Sequence, residues 1–171
     1  MSPFVQDIRQ LLPVDAEAFS ALRRLVIADN PVPMGLTLVE EQSRAMEGFR
    51  QQLGAPAPNA AFGIFVDTEL VACSAVAWTG SFASSRHKVV LWGTFVKHEF
   101  RQRGLGRAVV RRALEHAKRN GARRASLTVY LPNPEATSLY ESLGFSVYGV
   151  EPEAVCLDGI YHDGQCMSAI L

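Results

Sequence analysis

The hydrophobic and polar positions of this chain follow two periods, one typical of strands and one typical of helices. Short apolar, β-prone runs bounded by turn residues predict strands, and apolar residues three or four positions apart predict amphipathic helices. The predicted strands are residues 5–12, 61–66, 70–78, 88–96, 125–131, 145–150 and 165–171. The first predicted helix begins at residue 15 and lies before the proline-rich loop 31–35. The other predicted helices span residues 39–53, 105–119 and 134–143.

The order of these elements predicts an α+β fold with three layers. A short connection, residues 67–69, joins two neighbouring strands as in an antiparallel hairpin. The helix at 105–119 separates the strands 88–96 and 125–131, and this arrangement is typical of a parallel pair with a right-handed crossover. We therefore expect a mixed, mostly antiparallel central sheet with helices on both faces.

Length and composition narrow the class of protein. The chain has 171 residues, so we expect one domain over residues 1–171. Its 17 basic and 17 acidic side chains cancel, which argues against a nucleic-acid partner. The three cysteines lack C-x-x-C spacing and the four histidines lack ligand spacing, so no disulfide framework and no metal are expected. A secretory signal and a membrane-spanning run are not visible, so a cytoplasmic location is expected.

The zero net charge hides a segregation along the chain. Residues 101–124 carry nine basic side chains and one acidic one, whereas residues 125–171 carry six acidic side chains and no Lys or Arg. An anionic ligand is therefore expected beside the basic segment.

The basic segment begins with a glycine-bearing turn between a strand and a helix. This turn, Arg101-Gln102-Arg103-Gly104-Leu105-Gly106-Arg107, has the form R-x-x-G-x-G. Free N–H groups at the start of a helix and nearby glycines favour binding of a phosphate group. The Walker A loop requires G-K-[ST], and the dinucleotide fingerprint requires a third glycine where Val109 stands, so neither pattern is satisfied.

A second segment lies about thirty residues further on. Residues 133–145 have the form N-x-x-A-x-x-x-Y-x-x-x-G-F, in which Asn133 begins a helix and Gly144 ends it. Ala136 and Tyr140 are four residues apart and lie on one face of that helix.

Together, the two segments resemble the signatures of the GNAT N-acetyltransferase superfamily. The resemblance is coherent over residues 62–150 and implies the acyl-CoA N-acyltransferase fold, with acetyl-CoA as co-substrate. It implies an enzyme in which an amine attacks the thioester directly, without an acyl-enzyme.

The resemblance also implies roles for particular residues. Tyr140 would be the catalytic residue, placed near the sulfur to protonate the departing thiolate, and the Val96 amide would polarise the thioester carbonyl. The strand end would pair with the pantetheine arm, the turn would hold the pyrophosphate, and Asn133 would contact the arm. The implied cofactor-binding residues are Thr94, Phe95, Val96, Arg101, Gln102, Arg103, Gly104, Leu105, Gly106, Arg107, Asn133, Ala136 and Tyr140.

The general base and the acceptor are less defined. Family branches that modify protein N-termini often carry a Glu five residues before the signature Asn, where this chain has Thr128. Glu40, Glu41 and Glu69 are unranked alternatives. A small-molecule amine is the preferred acceptor, and a protein N-acetyltransferase or a non-catalytic acyl-CoA-binding domain are the alternatives. The resemblance also suggests a homodimer.

Overall fold

One seven-stranded sheet runs through the computed structural model, which describes residues 6–171. Its spatial order is β1-β2-β3-β4-β5-β7-β6, and the β4–β5 pair is parallel whereas the other neighbouring pairs are antiparallel. The mixed, mostly antiparallel sheet that the sequence predicts is therefore confirmed. The strands are β1 (Gln6–Gln10), β2 (Ala60–Val66), β3 (Glu69–Trp78), β4 (Lys88–Val96), β5 (Arg124–Tyr130), β6 (Ser146–Leu157) and β7 (Ile160–Ile170).

Five α-helices accompany the sheet within the described part of the chain. They are α1 (Ala16–Asp29), α2 (Leu38–Ser43), α3 (Met46–Leu53), α4 (Leu105–Arg119) and α5 (Pro134–Glu141). The predicted bounds of β4 and α4 match the structure. Val5, the first residue of the predicted strand 5–12, lies outside the described residues.

The prediction of one helix over residues 39–53 is wrong. Arg44 and Ala45 have extended backbone angles and separate α2 from α3. The break lets Glu41 point inward from α2 while Phe49 of α3 enters the core, and both side chains are fully buried. In a continuous helix, residues eight apart are turned by about 80° relative to each other, and the break frees Glu41 and Phe49 from that fixed relation.

The final two strands are longer than predicted. β6 and β7 form a hairpin of twelve and eleven residues, joined by Asp158 and Gly159. Both turn residues have positive φ, 50° and 79°, as a type I′ turn requires. An Asp-Gly pair between two β-prone runs is a strong hairpin signal. The sequence prediction did not use it, and so it ended β6 too early, at residue 150, and began β7 too late, at residue 165.

Two apolar layers cover opposite faces of the sheet. On one face, α4 packs its buried residues, among them Val109 and Ala113, against Phe62 and Val89. On the other face, α1 and α3 contribute residues such as Phe19 and Phe49 to a second cluster. These two clusters confirm the predicted helices on both faces.

The sheet opens between β4 and β5. The parallel pairing covers only Lys88–Val90 with Arg124–Ser126, after which the strands diverge. On the opposite edge of β4, the register with β3 shifts so that Gly93 and Thr94 together oppose Ser74, and Gly93 has φ of +60°. This β-bulge lies at the level where the strands have separated.

The glycine at the centre of the β5–β7–β6 ladder provides a test of this packing. A Cβ at Gly164 would lie 2.9 Å from both the Ala154 Cβ and the Thr128 Cγ2 atoms. We expect Gly164→Ala to lower the free energy of unfolding by about 1–3 kcal/mol because the strands must move apart. Gly149→Ala on β6 is the control, since its Cβ would meet no atom within 4 Å. Equal denaturation midpoints for the two variants would contradict this packing.

Candidate active site

The diverging ends of β4 and β5 border a cleft of about 950 Å³. Its lining comes from both helix layers: Val26 of α1 and Pro33 of the following 3₁₀ turn lie on one side, and Leu139 and Tyr140 of α5 lie on the other. The first turn of α4 closes the end nearest β4. The cleft is therefore lined by residues from both faces of the sheet.

The start of α4 presents a row of free backbone donors. The N–H groups of residues 102–107 have no hydrogen-bond acceptor within the described residues 6–171. Gln102 and Gly104 have positive φ, 59° and 77°, which turns the chain sharply into the helix. A Cβ at Gly104 would meet nothing within 4 Å, so the space in front of this turn is open. This geometry fits a phosphate group, which requires several convergent N–H donors.

Arginine side chains surround this turn, but two of them are engaged elsewhere. Arg101 Nε donates to the Val96 carbonyl at 3.1 Å, and its Nη2 lies 4.0 Å from Asp29 Oδ2. Arg107 donates to the hydroxyl and the carbonyl of Ser142 at 3.1 and 3.2 Å. Arg107 thereby ties the start of α4 to the end of α5, so backbone N–H groups are the direct donors that the turn offers.

The end of β4 offers backbone groups to the cleft. The Lys97 N–H donates to the Val71 carbonyl of β3 at 2.9 Å. Because backbone groups alternate in direction along a strand, the N–H and C=O groups of Val96 point away from β3, toward the opening. The carbonyl accepts the Arg101 side chain, whereas the N–H has no acceptor in the described part of the chain.

Helix α5 supplies the opposite wall of the cleft. The Asn133 Oδ1 atom accepts the Ala136 N–H at 3.1 Å and caps the helix, as the sequence predicts. One turn further, Tyr140 is only 8% exposed and packs edge-on against Phe145. Tyr140 thus reaches the cleft from a fixed position.

Burial controls the state of the Tyr140 phenol. Burial raises the pKa of Tyr140 above its ordinary value, and a weaker interaction with the Thr94 hydroxyl opposes that rise. The phenol is therefore a neutral O–H donor at physiological pH. The Thr94 hydroxyl is itself hydrogen-bonded to Ser74, which is fully buried, at 2.8 Å.

The structure brings together nearly all of the predicted cofactor-binding residues. Each of them except Arg103 lines the cleft. Arg103 stacks over the Phe100 ring, 5.4 Å from its centroid, and faces a neighbouring depression by the β2–β3 hairpin. The ligand that these residues bind stays a prediction.

The candidate general bases do not lie in the cleft. Glu69 contacts Lys97, and Glu40 accepts the Thr37 N–H and hydroxyl in a capping box. Burial raises the pKa of Glu41, but hydrogen bonds and the charge of Arg23 outweigh it, so the pKa lies below its ordinary value. Glu41 is a carboxylate committed to an ion pair.

Sequence reasoning missed several residues of the cleft wall. His98 and Glu135 are the titratable ones, and Asn30 and Pro132 lie beside them. Glu135 had a usable signal, since it lies between the recognised Asn133 and Ala136. No sequence signal pointed to Asn30, because only the fold brings the end of α1 close to β4.

Solved structures share this fold. The ribosomal-protein-alanine N-acetyltransferase of Brucella melitensis superposes with a TM-score of 0.81 at 19% identity, covering 96% of this chain and 99% of that one. The phosphinothricin acetyltransferase of Sinorhizobium meliloti, in complex with acetyl-CoA, gives 0.80 at 16% identity, covering 97% and 88%. A GNAT-family acetyltransferase from Streptococcus pneumoniae gives 0.78 at 21% identity, covering 97% and 99%. The fold is therefore that of the acetyltransferases.

Sequence comparison identifies the family. An uncharacterized N-acetyltransferase of Methanocaldococcus jannaschii is 43% identical over 51 residues, which are 30% of this chain and 23% of that protein. The sequence model of the acetyltransferase (GNAT) family matches residues 19–145. The chain belongs to the GNAT acetyltransferase family, as the two sequence motifs predict.

Across residues 6–171, no helix combines the length and the apolar character needed to cross a membrane. In the same range, no three His, Cys, Asp or Glu side chains are grouped as metal ligands are.

Proposed function

We propose that this protein transfers an acetyl group from acetyl-CoA to the primary amine of a small molecule. The observation that carries the proposal is the row of unpaired N–H groups at the start of α4, placed where β4 and β5 separate. Membership of the GNAT family supports acetyl-CoA as co-substrate, and the Sinorhizobium neighbour was solved in complex with it.

The residues of the cleft fit such a co-substrate. The N–H groups of residues 102–107 would hold the pyrophosphate, with the charge of the nearby arginines adding to the helix dipole. The strand end Thr94, Phe95 and Val96 would pair with the amide groups of the pantetheine arm, as an added strand does. Asn133 and Ala136 would contact the same arm from the other wall.

The chain's own groups would then act on the reacting atoms. Acetyl-CoA supplies an activated thioester, which an amine attacks directly. The Val96 N–H would donate a hydrogen bond to the carbonyl oxygen as it gains negative charge. The amine would attack as the free base, after losing its ammonium proton to water. The buried, neutral Tyr140 phenol would give its proton to the departing sulfur, and the proton that the nitrogen sheds after attack would restore the phenol through water.

One acidic side chain of the cleft supports a cationic amine as acceptor. Glu135 lines the cleft and would offer its negative charge to an ammonium group, whereas Arg101 and Arg107 are engaged by other protein groups. The Sinorhizobium neighbour is named for phosphinothricin, whereas the Brucella neighbour is named for the alanine of a ribosomal protein and represents the protein-acceptor alternative. A small amine fits a cleft of this volume. The single-domain organisation, the cytoplasmic location and the homodimer stay predictions.

The activity can be tested with a panel of amines. Purified protein would be mixed with acetyl-CoA and with amino acids, polyamines, aminoglycosides or a peptide with a free N-terminus. We expect loss of thioester absorbance with at least one small amine, with the acetylated product identified by mass spectrometry. Turnover with the peptide alone would favour a protein N-acetyltransferase. Tight binding of acetyl-CoA without any turnover would favour a non-catalytic acyl-CoA-binding domain.

The phosphate role of the α4 turn can be tested with a matched pair of glycine variants. Gly104 and Gly121 lie at the two ends of α4, have φ of +77° and +90°, and would place a Cβ in open space. Both Gly104→Trp and Gly121→Trp should cost about 1–2 kcal/mol of backbone strain. Only Gly104→Trp blocks the turn, so we expect calorimetry to show its Kd for acetyl-CoA raised at least about tenfold. Equal affinities in the two variants would disprove the assignment.

The proton-donor role of Tyr140 separates binding from turnover. We expect Tyr140→Phe to lower kcat by about 10²-fold because the leaving sulfur loses its acid, while the Kd for acetyl-CoA changes little. Tyr161→Phe serves as the control, since Tyr161 is exposed on β7. A variant that loses cofactor affinity and keeps kcat would remove Tyr140 from this role.

A further inference from the structure

A charged pair lies inside the layer formed by α1, α2 and α3. Arg23 of α1 is 2% exposed and Glu41 of α2 is 0% exposed. Arg23 donates to both carboxylate oxygens, through Nε to Oε1 and through Nη2 to Oε2, the second at 2.9 Å. Burying two charges costs several kcal/mol per ion before their attraction is counted, so such a pair is weak support for stability.

The third nitrogen of Arg23 is left over from this pairing. Its Nη1 atom is buried and has no hydrogen-bond partner within residues 6–171. It faces β4: a Cβ built at Gly93 would lie 3.6 Å from Nη1 and 3.7 Å from the Phe95 ring. A buried unpaired N–H is costly, so its direction toward one particular glycine requires an explanation.

That glycine belongs to the bulge of β4. On the α5 side of the sheet, the next residue, Thr94, is held by its hydrogen bond to Ser74. On the α1 side, the Arg23 guanidinium covers Gly93. The bulge is thus fixed from both faces, and its second residue, Thr94, lies two positions before Val96, whose N–H points into the cleft.

We propose that Arg23, held by Glu41, is a positioning residue for acetyl transfer: it fixes the β4 bulge and thereby the direction of the Val96 N–H, the group proposed to donate to the thioester carbonyl. The inference rests on the proposed function and assigns a further residue to the same site. Preoriented donors and charges in a water-excluded site stabilise a developing oxyanion, because nothing has to reorganise during the reaction. Glu41 prevents the guanidinium from rotating away from Gly93.

The test removes the pair without removing its volume. In Arg23→Met/Glu41→Met both charges disappear, so no uncompensated ion is left in the core. We expect this variant to fold, to bind acetyl-CoA with unchanged Kd and to keep the KM of the acceptor within about threefold. Its kcat should fall at least about tenfold, as for the loss of an oriented group near an oxyanion.

Arg44→Met is the matched control. Arg44 contacts the same Glu41 carboxylate at 3.4 Å, but its other contacts are Gln52 and the Phe49 ring. The Arg44→Met substitution therefore removes one positive charge beside Glu41 and leaves the bulge untouched. We expect wild-type kcat in this variant.

The outcomes separate this inference from the proposed function. If the wild-type protein transfers no acetyl group to any amine, the proposed function fails and the inference fails with it. If the wild type is active and the double variant keeps its kcat, or Arg44→Met loses as much, Arg23 has no role in transfer. Should the double variant unfold, Arg23→Lys decides: a kcat between about twofold and tenfold below wild type supports the role, and an unchanged kcat overturns it.

Discussion

The separation of β4 from β5 is the constraint on which the rest of the site depends. Parallel pairing ends after three residue pairs, and the backbone groups beyond it on the facing edges lose their ladder partners. Inside a protein such groups require other partners, and the chain supplies one in the Arg101 side chain, which satisfies the Val96 carbonyl. The remaining groups face a cleft into which α4 directs its first turn. An opening that would be a defect in an ordinary sheet is, under the proposed function, the place where the amide groups of the co-substrate would pair.

Buried polar side chains keep this opening in one shape. Ser74 and Arg23 are almost fully buried, and both act on the bulge of β4 from opposite faces. Arg107 adds a third link by joining α4 to the end of α5. A shift of the bulge would separate Thr94 from Ser74 and leave a buried hydroxyl unsatisfied in a medium where that is expensive. The bulge is therefore tied to its position by the Ser74 hydrogen bond on one face and by the packing of Arg23 on the other.

The sequence predicts the elements whose signal is local. The bounds of β4 and α4 match because an uninterrupted β-prone run and a helical apolar spacing both end at glycine-bearing turns. The break within residues 39–53 was not predicted, because it depends on Glu41 pairing with Arg23, eighteen positions earlier in the chain. The motif residues gather in the cleft as expected, whereas Asn30 and His98 join them only through tertiary packing. Arg23 stands among the apolar, buried positions of α1, and a charge at such a position was the available sequence signal that it has a buried partner.

The lining of the cleft by both helix layers would let each of two substrates contact its own wall. In the proposed reaction the phosphate-bearing substrate lies along the α4 and α5 side, and the amine approaches past α1 and the turn at Val32–Met34. The two substrates would then contact different walls of the one cleft. Substitutions in the α1 wall would then change which amines the cleft accepts, while the residues proposed to bind the nucleotide part of acetyl-CoA stay the same.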